Sequence, residues 1–283
     1  MKKFLIIMSG NPRGGEITWK SMYKHLLYPT DSDLAICTGS KWLNQQSFLK
    51  EAKYKWIIDE PDDWFDYYKN NFVGNWKQYF ELGKDTGLYN SGSIHFALKD
   101  IVRKNHIDVL NNYENIIYTR FDQFYIDKQT FFDDESILIP TGEDYFGVCD
   151  RHALVPTKYI DKYLDICKYI NTPASLENVP KHLNCEVAYL KYLKYSNLFN
   201  FVKRYERSQF TTAIKNDPTN WRVAKYKIYF YGGLKIKYPD EFINSVKNYK
   251  RSRGNLKSIK DLKILFLNYI YLQIRRNLGM LFN

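Results

Sequence analysis

The stretch Asn115-Ile116-Ile117-Tyr118-Thr119-Arg120-Phe121-Asp122-Gln123 decides how the chain is read. It opens as a short apolar strand, and a cation and a carboxylate follow at Arg120 and Asp122. Side chains two apart along an extended chain point to the same side. The spacing therefore predicts that Arg120 and Asp122 face one crevice at the C-terminal edge of a sheet, where open α/β sheets bind their ligands. A carboxylate there can hold a divalent ion against a diphosphate, and a guanidinium grips phosphate oxygens in a fork.

Working outward, Phe4-Leu5-Ile6-Ile7-Met8 is a continuous apolar run, suited to a strand buried on both faces of a parallel sheet. Ser9 to Gly15 turns the chain, and Trp19, Tyr23, Leu26 and Leu27 then repeat at helical spacing. A strand, a glycine-rich turn and a helix in that order aim backbone N–H groups at a phosphate. Ser9, Gly10, Arg13 and Gly14 are therefore candidate nucleotide-binding residues. The turn is neither G-x-G-x-x-G nor a P-loop, and a plain βα turn with a solvated Arg13 is the competing account. Two further strands are expected at Leu34–Cys37 and Tyr54–Ile58. Asp59 follows the second, placed to hold a ribose or to shape a turn before Pro61.

The segment from Trp64 to Gly87 is rich in aromatics and lysine but has no clean period, and no element is assigned to it. Asn90-Ser91-Gly92-Ser93 predicts a helix start, with Ile94, Ala97, Leu98, Ile101 and Val102 as the buried stripe. Ser91 and Gly92 are small enough to let a ligand approach, or serve only as a cap. Beyond Asp122, strands are expected at Ile137–Ile139 and Tyr145–Cys149, the second ending in the polar triplet Asp150-Arg151-His152. Helices are expected from Pro156-Thr157, from Glu186, and over Pro239–Asn248. Phe199 to Ile214 is strand-like, and Asn216-Asp217-Pro218-Thr219 is a turn.

Lys250 to Asn255 is the linker candidate, dividing the chain into 1–250 and a basic, apolar tail over 251–283. Within the tail, Ser258 to Leu278 has a helical pattern framed by Lys257, Lys260, Lys263, Arg275 and Arg276. This suits an interfacial helix on an anionic membrane surface over 257–278, or equally a helix docked on the core.

At 283 residues with 17% aromatics, the chain is neither too short for a core nor disordered. Its formal charge of +11 fits nucleic acid, an anionic lipid face or a phosphate-bearing substrate. The four cysteines show no C-x-x-C and no zinc spacing, so buried thiols in a reducing compartment are expected. Met1-Lys2-Lys3 and the apolar run after it resemble a signal peptide only superficially, and no segment reaches the ~20 apolar residues of a spanning helix. The expected location is cytoplasmic, with peripheral membrane contact through the tail.

The polar strand ends suit glycosyl transfer from a nucleotide sugar. The leaving diphosphate needs its charge neutralised by a metal ion or by Arg and Lys, and an inverting reaction needs a carboxylate base for the acceptor hydroxyl. Asp122 is the candidate metal ligand and Arg120 the phosphate cation. Asp150 is the candidate base, since Arg151 beside it keeps it ionised, although an Asp–Arg pair also fixes turns. Arg151 and His152 are placed on the acceptor side, and Glu143, Asp144 and Glu186 are rival bases.

In order along the chain stand Ser9-Gly10-x-x-Arg13-Gly14, Asn90-Ser91-Gly92-Ser93-Ile94, Tyr118-Thr119-Arg120-Phe121-Asp122-Gln123 and Gly147-Val148-Cys149-Asp150-Arg151. Asp217-Pro218-Thr219-Asn220-Trp221 and Lys237-Tyr238-Pro239-x-Glu241 follow. Together they resemble small GT-A-fold glycosyltransferases encoded by large viruses and by bacteria for surface polysaccharides, over roughly residues 3 to 248. The resemblance implies an α/β fold with a GT-A-like mixed, mostly parallel central sheet flanked by helices, and a C-terminal helical extension. It also implies a nucleoside-diphosphate sugar donor, a UDP-sugar first, and a glycan or lipid-linked acceptor. By the resemblance Arg120-x-Asp122 occupies the place of the family's D-x-D motif, with Arg120 where the first Asp is usual. Asp122 is then left to hold Mn2+ or Mg2+. Two alternatives stay open. One is a nucleic-acid-binding protein, for which Lys191-Tyr192-Leu193-Lys194-Tyr195 and Lys225-Tyr226-Lys227 interleave bases and rings. The other is an inactive sugar-nucleotide-binding subunit.

Overall fold

The computed structural model describes residues 2–43, 46–129, 131, 135–142, 144–214, 217, 229–230, 233–252 and 267–274. The strands are β1 (Lys2–Ser9), β2 (Asp33–Gly39), β3 (Tyr54–Ile58), β4 (Tyr113–Arg120), β5 (Gln123–Tyr125), β6 (Ile137–Pro140), β7 (Ala153–Pro156), β8 (Val202–Tyr205), β9 (Gln209–Ala213), β10 (Tyr229–Phe230) and β11 (Leu234–Ile236). The α-helices are α1 (Gly15–Met22), α2 (Ser47–Glu51), α3 (Trp64–Asn71), α4 (Trp76–Leu82), α5 (Ser93–Leu110), α6 (Thr157–Leu164), α7 (Ile166–Ile170), α8 (Cys185–Tyr195) and α9 (Pro239–Ser252). They fall into two compact units, one of Met1–Asn11, Asp31–Arg120 and Phe131–Tyr205, the other of Pro12–Thr30, Phe121–Thr130 and Glu206–Asn283.

The first unit is mixed α/β. Among the described residues its sheet runs β3-β2-β1-β4-β7-β6-β8. The pairs β3/β2, β2/β1, β1/β4 and β6/β8 are parallel, and β7 is antiparallel to both its neighbours. The apolar run Phe4–Met8 becomes the central strand, and each of its side chains is buried. The α5 side of the sheet packs Leu5, Ile7, Ala35, Cys37, Ile116 and Tyr118 with Phe96, Ala97 and Val102. Of the stripe expected on α5, Ala97, Leu98 and Val102 are buried and Ile94 and Ile101 partly so.

One segment had no expected element, and another departs from expectation. Trp64–Gly87 forms the short helices α3 and α4, which dock through rings instead of an aliphatic stripe. Tyr68 stacks on Trp76 at 5.5 Å, meets Phe80 edge-on at 4.9 Å, and donates to the Ser93 carbonyl. Helices of seven or eight residues held this way leave no long period to read. Tyr145–Cys149, in contrast, is not a strand. Tyr145 and Phe146 have φ of 44° and 69°, the Gly147 N–H bonds back to the Asp144 carbonyl, and the Val148 N–H bonds to the Glu186 carbonyl. A Cβ on Gly147 would fall 2.0 Å from that Glu186 oxygen. The apolar pattern is satisfied here by a tight turn pressed on α8, and the strand begins later, at Ala153.

The second unit holds the antiparallel sheet β10-β11-β9-β5. Its core gathers Ile126, Phe210, Leu234, Ile236, Phe242, Ile243, Val246 and Leu272. Glu241, in the first turn of α9, is fully buried. It pairs with Arg207 at 2.7 Å and accepts from both the N–H and the hydroxyl of Thr211. The last segment singled out in the sequence thus contains an internal anchor. Helix α9 continues through Lys250 and Arg251, where a linker was expected, and residues 253–255 lie outside the described residues. In the tail, 267–274 is helical, with Leu272 in the core and Leu267, Ile270, Tyr271 and Ile274 exposed. Lys257, Lys260, Lys263, Arg275 and Arg276 lie outside the described residues. Among the described residues no helix is long and apolar enough to cross a membrane.

Ile7→Ala empties a fully buried site on the interior strand β1. Denaturant unfolding should show a loss of about 2–5 kcal/mol, against less than about 0.5 kcal/mol for Lys55→Ala on the exposed side of β3.

Candidate functional site

The register of the first unit's sheet decides what meets at its edge. Ser9 pairs with Cys37 on one side and with Arg120 on the other. These strands are parallel, so their C-terminal ends share one edge. Strand β7 runs the other way and pairs Ala153 with Tyr118, which brings the residues entering it, Asp150-Arg151-His152, to that same edge. The triplet was expected at a strand's C-terminal end and stands instead before a strand's first residue, yet it arrives at the expected place because that strand is antiparallel. The chain builds β1, β2 and β3 outward in one direction and resumes with β4 on the opposite flank of β1. The β1/β4 boundary is therefore a topological switch point, where the connections diverge and leave a crevice.

At the crevice Gly10 has φ of 102° and donates its N–H to the Cys37 carbonyl. A Cβ on it would lie 3.8 Å from His95 Cε1. Arg120 Nη1 stands 3.2 Å from His95 Nε2. His95, in the first turn of α5, is the residue that the sequence reading missed. It lies off the buried stripe, and no local spacing links it to Arg120. The link comes from alternation on β4, which turns Tyr118 and Arg120 to the same side of the sheet.

Behind these residues lies a buried charged cluster. Lys99 of α5 is 1% exposed, with its ammonium 5.0 Å from the Tyr118 ring centroid and 4.3 Å from that of Tyr189. It donates to the Asp150 carbonyl at 3.1 Å. Burial pulls its pKa below the ordinary lysine value, with the Asp150 charge working against that. Burial also pushes the Cys37 thiol up to about 12, opposed by the neighbouring Ser9 hydroxyl. Asp150 is 5% exposed, and among the described residues nothing donates a hydrogen bond to its Oδ1. Arg151 Nη1 is 3.6 Å away and makes its salt bridge to Glu186. Glu186 lies in the first turn of α8, which Asn184 caps by accepting the Val187 N–H at 2.8 Å. Burial raises the Glu186 carboxyl above its ordinary value of 4.5, Arg151 opposes this, and Asp150 adds to it.

The other candidates are placed as follows. Arg151 and His152, expected toward an acceptor, are buried within the cluster and against the Tyr205 ring. Among the rival bases, Glu186 is held by Arg151, Asp144 by Arg204 at 2.8 Å, and Glu143 lies outside the described residues. Ser91 is exposed in a π-helical turn, Leu88–Gly92, which leads into α5 without a side-chain cap. Gly92 is covered by the Leu88 side chain and the Cys185 sulfur. Asp59 is exposed just after β3, two strands from β1 and so roughly 10 Å across the sheet. Arg13 and Gly14 belong to the second unit, where the Gly14 N–H expected to meet a phosphate donates to Asp217 Oδ2 at 3.0 Å. The same oxygen accepts from the Ile214 N–H.

Asp122 departs furthest from expectation. Strand β4 ends at Arg120, and Phe121-Asp122 form a turn before β5, so the alternation that would set Arg120 and Asp122 on one face stops between them. The division of the chain into units falls there as well. The Asp122 side chain is 2% exposed, with Lys237 Nζ 3.9 Å from Oδ2, and its carbonyl accepts the Thr212 N–H. Among the described residues no three His, Cys, Asp or Glu side chains gather as a metal-binding group. A lone buried carboxylate facing an ammonium does not fit a divalent ion, which takes six or more oxygen ligands. For the nucleic-acid alternative, Lys191–Tyr195 is helical with Tyr192 buried and Tyr195 exposed, so the first ring offers no face for a base to stack on. Lys225-Tyr226-Lys227 lies outside the described residues.

No protein-family model matches the chain, and no curated protein sequence does. Among solved structures it is similar to the PaToxG glycosyltransferase, with 16% identity over 71% of this chain and 72% of that one and a TM-score of 0.35. It is similar also to the apo form of mouse xyloside xylosyltransferase 1, with 10% identity over 72% and 84% of the two chains and a TM-score of 0.37.

The raised Glu186 carboxyl has a consequence for stability. A folded-state pKa above the unfolded value means that the folded chain binds the extra proton, so this contribution is complete below pH 4.5 and is lost as pH rises toward neutrality. Unfolding free energies measured across that window should fall for the wild type relative to Glu186→Gln, which keeps an acceptor for Arg151 but has no proton to lose.

Proposed function

We propose that the chain is a glycosyltransferase that moves a sugar from a nucleoside-diphosphate donor, a UDP-sugar first, to a glycan or lipid-linked acceptor with inversion. The observation that carries this reading is the convergence of Ser9-Gly10, the Arg120–His95 pair and Asp150 on one switch-point edge. Such an edge suits what the reaction needs: a cation at the crevice for the leaving diphosphate and a carboxylate directly behind it. The ordered motifs that resemble GT-A-fold enzymes support the same reading.

In the reaction, the acceptor oxygen attacks the anomeric carbon from the face opposite the diphosphate. The new carbon–oxygen bond forms as the bond to the phosphate oxygen breaks. Asp150 takes the proton from the acceptor hydroxyl, and the electron pair of the broken bond leaves on the diphosphate beside Arg120. Lys99, holding the Asp150 carbonyl, and Arg151, tied to Glu186, fix the base from behind. A carboxylate oxygen that receives no hydrogen bond from the described residues suits this role, because a base already saturated with donors is a weak one. The lipid-linked acceptor draws support from the exposed apolar row Leu267, Ile270, Tyr271 and Ile274. That row suits peripheral contact with a membrane surface.

A panel of nucleotide sugars should contain one that raises the melting temperature of the full chain and is turned over with a suitable acceptor. Asp150→Asn should keep the donor-induced shift and lose about 10²- to 10⁴-fold in transfer rate. Wild-type turnover by that variant would remove Asp150 from the mechanism. A shift without turnover for any donor would favour the inactive binding subunit.

A further inference from the structure

We infer that the donor diphosphate is bound and neutralised by Arg120, oriented by His95 beside Gly10, with no divalent ion required. The inference rests on the transferase reading for its ligand, but its geometry is independent of Asp150. Three observations within the first unit carry it. Arg120 closes β4 directly opposite Ser9 of β1, so it stands at the switch point itself. Its Nη1 is engaged by His95 Nε2 at 3.2 Å, a contact that helps to hold the guanidinium plane. Gly10, the residue after β1, lies next to His95, and its φ of 102° disfavours any other residue there, so no Cβ stands between this backbone and a ligand.

The chemistry of Asp122 points the same way. A metal-dependent site would need that carboxylate to offer its oxygens to an ion, yet it is buried opposite Lys237. A planar guanidinium matches two phosphate oxygens at once and stays charged at all relevant pH. It can therefore take over the charge-neutralising task that an ion would otherwise perform. His95 is a positioning residue in this arrangement, because it acts by fixing the fork.

The test is binding of UDP, GDP, ADP and inorganic pyrophosphate to the full-length chain, by calorimetry, first in EDTA and then with manganese. The expected result is a nucleoside diphosphate that binds in EDTA with an affinity that manganese changes by less than about twofold. Arg120→Met should weaken it about 10- to 100-fold, and Arg120→Lys, which keeps the charge but not the fork, should recover only part of that. His95→Phe should weaken binding, and His95→Gln, which still offers an oxygen to the guanidinium, should restore it. Binding seen only with manganese, or unchanged in Arg120→Met, overturns the inference while leaving the transferase reading intact. Diphosphate binding in EDTA without sugar transfer from any donor upholds the inference and removes the transferase reading. An absence of binding under both conditions removes both.

Discussion

The placement of β1 between β2 and β4 is the constraint on which the rest of the first unit depends. A strand whose five central side chains are all buried needs cover on both faces and a partner on both edges. The chain meets that need by laying β2 and β3 on one flank and returning through α5 to lay β4 on the other. The reversal that buries β1 also opens the crevice at its C-terminal end. Stability and site therefore have one origin, and Ser9, Gly10 and Arg120 meet there because Ser9 and Arg120 are partners in the ladder.

The same geometry explains why charge is buried behind the crevice. Lys99, Asp150, Arg151 and Glu186 are each 7% exposed or less, and removing ions from water costs several kcal/mol apiece unless they are paired. The pairing here is specific: Arg151 serves Glu186 and lies near Asp150, and Lys99 is spent on a carbonyl and two aromatic faces. Such a cluster is weak evidence of stability. Its evident use is to fix the turn that carries Asp150, in the way a supporting shell of hydrogen bonds fixes a reactive group. In the second unit, the buried Arg207–Glu241 pair does comparable work by anchoring α9 to β9 and to the loop before it.

Much of this was legible in the residues. The apolar run of β1, the turn at Gly10, the strands at Leu34–Cys37 and Tyr54–Ile58, and the Arg120 strand end each follow from a local pattern of burial or turn chemistry. The misses have physical causes. Trp64–Gly87 folds as helices held by ring-to-ring packing, which has no period. Tyr145–Cys149 has the composition of a strand, but its hydrogen bonds go to a turn and to α8. Arg120 and Asp122 have the spacing of one face, but the strand ends between them. In the second and third cases the partner that decides the conformation is distant in the chain.

The sequence by itself determined the central strand, the candidate base and the candidate phosphate cation, because burial, charge and turn preference are properties of neighbouring residues. Only the tertiary structure decided that β7 runs antiparallel and so delivers Asp150 to the same edge as Arg120. It likewise decided that His95 meets Arg120, that Gly14 is engaged by Asp217, and that Asp122 is enclosed beside Lys237. The physical reason is that strand direction, register and long-range ion pairs are set by which surfaces find each other once the chain has collapsed, and no window of neighbouring residues contains that information.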